Sequence, residues 1–155
     1  MTDCPSDPDS RFGALVSILN RAAQIYFSRA LAPYAIGPGQ QAYLLVVGPG
    51  ESVSQLTIAE RLSMDKANVA RAVKALETVG YLERSRPEED RRRWNVRLTR
   101  EGELVRERVQ ARMREWVLTI RSDVPPDDWQ RFVTILSRVA SQAREHALGV
   151  AANPR

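Results

Sequence analysis

The run from Ser54 to Thr99 carries two short helical patterns followed by two strand patterns, and few folds accept that order. Ser54 is suited to cap a helix, because its hydroxyl accepts from the free amides of a first turn. Leu56, Ile58, Ala59 and Leu62 then give an apolar side. Ser63-Met64-Asp65 interrupts it, and Asp65 is a second capping residue whose charge suits a helix start. From about Lys66 to Val79, residues Val69, Ala72, Val73, Leu76 and Val79 share one face. Gly80 stands where a helix-stopping glycine is expected. Tyr81–Arg86 and Trp94–Leu98 read as strands, the second alternating Trp94, Val96 and Leu98 with Asn95 and Arg97. The segment between them, Pro87-Glu88-Glu89-Asp90-Arg91-Arg92-Arg93, has the proline and acids of a turn.

The outward face of the second helix has the chemistry of a duplex reader. Ala67, Arg71, Lys74 and Thr78 fall opposite the apolar face, with Asn68 and Ala70 on its flanks. Small residues let a helix approach base edges, and Asn and Arg can pair with them bidentately. Lys74 is placed for a phosphate, and Asn68 and Arg71 for bases. Three consecutive arginines at a hairpin tip are hard to explain by folding, and they suit a narrow, negative minor groove. A solvated charge run and an ordinary wet helix face are the bland alternatives.

Taken in order, Ala59-Glu60-Arg61-Leu62, Asp65-Lys66-Ala67-Asn68-Val69-Ala70-Arg71, Leu76-Glu77-x-x-Gly80-Tyr81-Leu82-Glu83-Arg84, Asp90-Arg91-Arg92 and Val96-Arg97-Leu98-Thr99-Arg100-Glu101-Gly102 resemble the MarR family of bacterial transcriptional regulators. The resemblance covers Phe12 to about Ala147. It implies a mainly α fold with a small β-hairpin wing: a winged helix-turn-helix plus a helical dimerisation region, about six helices and three short strands. Helix 66–79 becomes the recognition helix and hairpin 82–98 the wing. Ser54, Gln55, Lys66, Ala67, Asn68, Arg71, Lys74, Asp90, Arg91, Arg92 and Arg93 become the expected DNA-binding residues. Arg92 enters the minor groove and Asp90 orients it. One departure is Arg86, where many relatives carry Asp before the proline. By the same likeness Glu51-Ser52-Val53 pairs with the wing as a short strand. A small aromatic or lipophilic anionic effector is expected in a crevice between dimer helices and DNA lobe, with Tyr26, Tyr34 and Tyr43 on segments able to line it.

Around this module the chain supplies long amphipathic helices. Residues 1–11 read as a flexible arm. Phe12 to Ala32 is a helix with Phe12, Leu15, Val16, Leu19, Ala22, Ala23, Tyr26 and Ala30 on one side. Pro33 to Gly37 breaks it. Pro38 to Val47 is a short central helix ended by Gly48-Pro49-Gly50, and the winged domain spans 37–99. Thr99 caps a helix to about Arg121 with Val105, Val109, Met113, Trp116, Val117 and Ile120 in line. Pro126, Asp127 and Asp128 open a last helix to about Ala147, and 148–155 reads as a frayed tail. Such apolar lines exceed what a small winged domain can cover. A twofold homodimer built from helices 12–32, 100–121 and 126–147 is therefore expected, on a palindromic operator.

Composition narrows the alternatives. The 155 residues can bury a core without disulfides, and the net charge of +4 proves little by itself. Its distribution says more: residues 84–97 hold six arginines against three acids, whereas 1–10 hold only acids. One cysteine, Cys4, excludes an internal disulfide and favours the cytoplasm. No apolar run is long enough for a membrane span. Cys4 is a redox candidate, but Asp3 and Asp7 beside it disfavour a thiolate. With one cysteine and one histidine, His146, no Cys/His zinc site is expected, and no cofactor either. Glu88, Glu89 and Asp90 are exposed turn acids rather than a shielded acid catalyst. Trp94, Trp116 and Trp129 read as core aromatics by default. The expectation is a DNA-binding regulator and repressor, not an enzyme. Redox regulation through Cys4 and a protein-binding winged-helix adaptor are the alternatives.

Overall fold

The computed structural model describes residues 7–37, 39–86 and 94–152, the stretch 148–152 by its backbone alone. Within them the order is α1 (Pro8–Ala30), a 3-10 turn (Ala32–Tyr34), α2 (Gln40–Val46), β1 (Val53–Ser54), α3 (Gln55–Leu62), α4 (Lys66–Thr78), β2 (Leu82–Ser85), β3 (Asn95–Leu98), α5 (Arg100–Ile120) and α6 (Pro126–Ala152). The chain divides into two compact units, one up to Met113 and one from Arg114. The mainly α architecture with a three-stranded wing sheet is the one the sequence predicts.

Several ends differ from expectation for local reasons. α1 begins at Pro8, inside the predicted arm, because Asp7 accepts from the Ser10 amide at 2.9 Å and Pro8 has no amide to leave unpaired. α2 is shorter than predicted, since Gly39 precedes it with φ +82°. The strand expected at 51–53 lies at Val53–Ser54. α6 continues to Ala152, through the predicted tail, because nothing stops it before Asn153-Pro154.

The sheet is antiparallel, in the order β1-β3-β2. Leu82 pairs with Leu98 and Arg84 with Val96, while Val53 pairs with Val96 from the other side. This register puts Val53, Leu82, Val96 and Leu98 all into the core. Leu44, Val47, Ile58, Val69, Val73 and Leu76 are buried there too, from α2, α3, α4 and the residue after α2. Burying each such side chain contributes roughly 1.5–3 kcal/mol relative to leaving it exposed. Two residues of the predicted apolar faces of α3 and α4 are exposed. Leu56 is exposed, because two residues along a helix is about 200° of turn from Ile58. Val79 is exposed because it is the residue that caps α4 rather than part of its inner face.

On α1, Phe27 near the end is buried, while Phe12, Leu15, Val16, Ile18, Leu19 and Ile25 stay exposed. α5 buries Gly102, Val105 and Val109 in the first unit. In the second unit Leu118 of α5 and Phe132, Val133, Ile135, Leu136 and Val139 of α6 are exposed, and Trp129 meets Phe132 at 5.6 Å between ring centres.

Candidate nucleic-acid interface

The helix-turn-helix is set by two caps and one serine. Ser54 Oγ accepts from the Thr57 amide at 3.0 Å and shares a 2.8 Å hydrogen bond with the Thr57 hydroxyl. α3 ends at Ser63, whose φ of +55° turns the chain sharply into Asp65. Asp65 Oδ1 then accepts from the Asn68 amide at 2.8 Å and starts α4. α4 presents Lys66, Ala67, Arg71 and Lys74 to solvent and buries Val69, Ala72, Val73 and Leu76. Its exposed first turns are linked by side chains: Asn68 donates to Asp65 and accepts from Arg71. That chain fixes which way the Asn68 amide points and engages one Arg71 nitrogen.

α4 ends on Gly80 at φ +81°, with Gly80 N–H donating to Glu77 at 3.0 Å and Tyr81 N–H to Leu76 at 2.9 Å. The seam continues into α5. Thr99 donates from its hydroxyl to the Gly80 carbonyl at 2.6 Å and from its amide to the Tyr81 carbonyl at 3.1 Å. The same hydroxyl accepts from Gly102 N–H at 3.0 Å, so it caps α5 as predicted. Tyr81 also donates to the Tyr34 carbonyl at 2.8 Å. Burial first, and then the charge of Glu101, push its phenol above the ordinary tyrosine range.

Of the expected DNA-binding residues, Lys66, Ala67, Asn68, Arg71 and Lys74 come together on one accessible face. Ser54 does not join them: it is 5% exposed, and its hydroxyl caps α3. Gln55 is half-buried and donates its backbone amide to Trp94 at 3.1 Å. Both serve to hold the wing root against α3. Asp90, Arg91, Arg92 and Arg93, and likewise Cys4, lie outside the described residues.

Two features carried no periodic signal in the sequence. Arg61 of α3 pairs bidentately with Glu51, at 2.8 and 3.2 Å, and donates to the Val46 carbonyl at 3.1 Å. Arg61 first, and then the Gly48 amide, hold the Glu51 carboxyl below its ordinary range. Trp94, expected in the core, is instead half-exposed beneath two arginines at the wing root. A tryptophan between Arg-rich strands, rather than within an apolar run, was the available cue.

Comparison with known proteins agrees with this geometry. A family model described as MarR family matches residues 38–93. The HTH-type transcriptional regulator BilQ of Clostridioides difficile (strain CD3) is 24% identical over 119 residues, covering 77% of this chain and 80% of the relative. A MarR transcriptional regulator from Methanosarcina mazei Go1 superposes with a TM-score of 0.78 at 29% identity, over 86% of this chain and 96% of that one. The chain is thus similar to the MarR family. The likeness is to MarR-type, DNA-binding transcriptional regulators and not to enzymes. The MarR fold is also shared with the PcaV regulator of Streptomyces coelicolor, solved with its natural ligand. That match is 26% identical with a TM-score of 0.72, over 92% of this chain and 98% of PcaV. Among its described residues, no helix of this chain is long and apolar enough to cross a membrane.

Proposed function

We propose that this regulator is a cytoplasmic homodimeric repressor that grips a palindromic operator and releases it when a small aromatic or lipophilic anion binds. The observation that carries the reading is the exposed, capped start of α4, where Asp65, Asn68 and Arg71 are already hydrogen-bonded in line. Two such helices would enter successive major grooves about 34–36 Å apart. Arg71 gives one nitrogen to Asn68 and keeps other donors for a base edge, so it is the principal reader and Asn68 steadies it. Lys66 and Lys74 would meet phosphates, and Ala67 lets the helix come close. Arg91, Arg92 and Arg93 would hold the flanking minor groove, with Asp90 orienting Arg92.

Dimerisation is supported by the uncovered apolar rows of α1 and α6. Side chains such as Phe12, Leu15, Phe132 and Leu136 are far more than a solitary soluble chain usually leaves in water. In this reading α1 and the helices after residue 99 form the dimerisation region, and residues 37–99 the DNA-binding domain. Effector control is supported by PcaV, which was solved holding a ligand. An effector that binds the non-DNA conformation more tightly shifts the spacing of the two recognition helices.

The test is selection of bound fragments from the host genome by purified protein, followed by mobility shifts. Recovered fragments sharing an inverted repeat support the reading. Protein that retains no fragment over any other in dilute buffer ends it.

A further inference from the structure

At the root of the wing two cations share one ring. The guanidinium carbons of Arg84 and Arg86 lie over Trp94, 4.8 and 4.3 Å from the ring centre. They are not equivalent. Arg84 is directed inward, with Nε 2.9 Å and Nη2 2.6 Å from Glu77 Oε2 on α4. Arg86 is exposed and has no carboxylate partner among the described residues. The indole beneath it is held by its own backbone, since the Trp94 carbonyl accepts from the Gln55 amide at the start of α3.

We propose that Arg86 contacts a backbone phosphate of the bound duplex and that Trp94 is the residue that positions it. The inference rests on the DNA-binding geometry proposed above and adds a contact to it. A guanidinium stacked on an indole is attracted through its face, which leaves its planar N–H donors free. Those donors match a phosphate bidentately. Stacking also restricts the side chain before binding, so less freedom is lost when the contact forms.

Position selects phosphate over base. The Arg84–Glu77 pair fastens the wing root to α4, so Arg86, the residue just after β2, stands at the root that adjoins that helix. With the helix in a major groove and the tip in the next minor groove, the sugar–phosphate strand dividing them faces this root. The contact therefore adds affinity and register without reading sequence.

The experiment is an anisotropy titration of the full chain against a fluorescein-labelled mixed-sequence duplex over a range of salt concentrations. Arg86→Ala should weaken binding roughly five- to tenfold and flatten the slope of log K against log salt by about 0.9 for each Arg86 engaged. Arg86→Lys should keep the slope and lose part of the affinity. Trp94→Leu should weaken the wild-type protein several-fold and add nothing in an Arg86→Ala background. Thermal melts of each variant check the fold, and Arg86→Gln substitutes for any variant that melts early. If Arg86→Ala leaves affinity and slope unchanged while Arg71→Ala weakens binding, the Arg86 contact is wrong and the regulator reading stands. If Trp94→Leu still weakens the Arg86→Ala protein, Trp94 does not act through Arg86. A wild-type chain that binds neither this duplex nor any genomic fragment removes both readings.

Discussion

The carbonyl oxygen of Tyr81 lies 2.0 Å from where a β-carbon on Gly102 would stand. The first turn of α5 therefore rests directly on Tyr81, just past the glycine at which α4 turns off. The obstacle is backbone, so no side-chain rotation relieves it. Gly102→Ala must push the two elements apart. We expect a loss of about 1–3 kcal/mol, the usual range for overpacking, read as a lower urea midpoint at unchanged slope. A wild-type midpoint in this variant would mean that the seam yields freely.

Asp65 both caps α4 and anchors the Asn68–Arg71 chain. Asp65→Ala should lower stability by about 1 kcal/mol for the lost cap. Asp65→Ser restores a capping oxygen but cannot reach Asn68 with a second one. It should recover most of the stability and less of the DNA affinity. Equal recovery of both would show that the side-chain chain contributes nothing to recognition.

Arg71→Ala should cost about 1–3 kcal/mol of operator affinity and relax the preference at one base pair of each half-site. Binding measured on a panel of single-base operator variants checks this. Uniform weakening across the panel would make Arg71 a phosphate contact instead.

Glu51 and Tyr81 give opposite pH responses. Glu51 is depressed by Arg61 in the folded protein. Its contribution is present above the unfolded carboxylate range and is lost as pH falls through the lower folded value. Glu51→Gln should flatten the acid limb of the stability curve. Tyr81 is raised by burial, so its contribution is full below the ordinary tyrosine value of about 10 and fades as pH climbs through the folded one. Tyr81→Phe should flatten the alkaline limb. Urea midpoints across pH, with each limb unchanged in the other variant, would establish both.

The exposed rows on α1 and α6 predict a solution dimer. Sedimentation of the wild type at micromolar concentration should give twice the chain mass. Leu15→Glu or Leu136→Glu should shift it toward monomer and weaken operator binding together. A wild type that sediments as a single chain would count against the homodimer.

The helix-turn-helix was legible because its signals are local. Ser54, Asp65, Gly80 and Thr99 each act within a few residues, and all four do in the structure what the sequence implies. Helix ends were less legible where two cues competed: Asp7-Pro8 outweighed the apparent polar arm, and Gly149 did not stop α6. What could not be read was anything joining distant segments. Tyr81 with Tyr34, Arg61 with Glu51, and Arg84 with Glu77 depend on how elements pack, and no spacing along the chain encodes them. Ser54 is the converse case. Its place beside the helix-turn-helix suggested contact with DNA, and what the structure shows of it is a buried hydroxyl bonded to Thr57 as the cap of α3.

The seam that sets the end of α4 uses backbone groups, a threonine hydroxyl and steric contact, with no ion pair among Gly80, Tyr81, Thr99 and Gly102. Ionic strength screens charges and leaves such neutral bonds nearly untouched. Grip and aim are thus governed by different forces in this molecule. Rising salt should loosen its hold on every duplex while the ranking of one base against another persists.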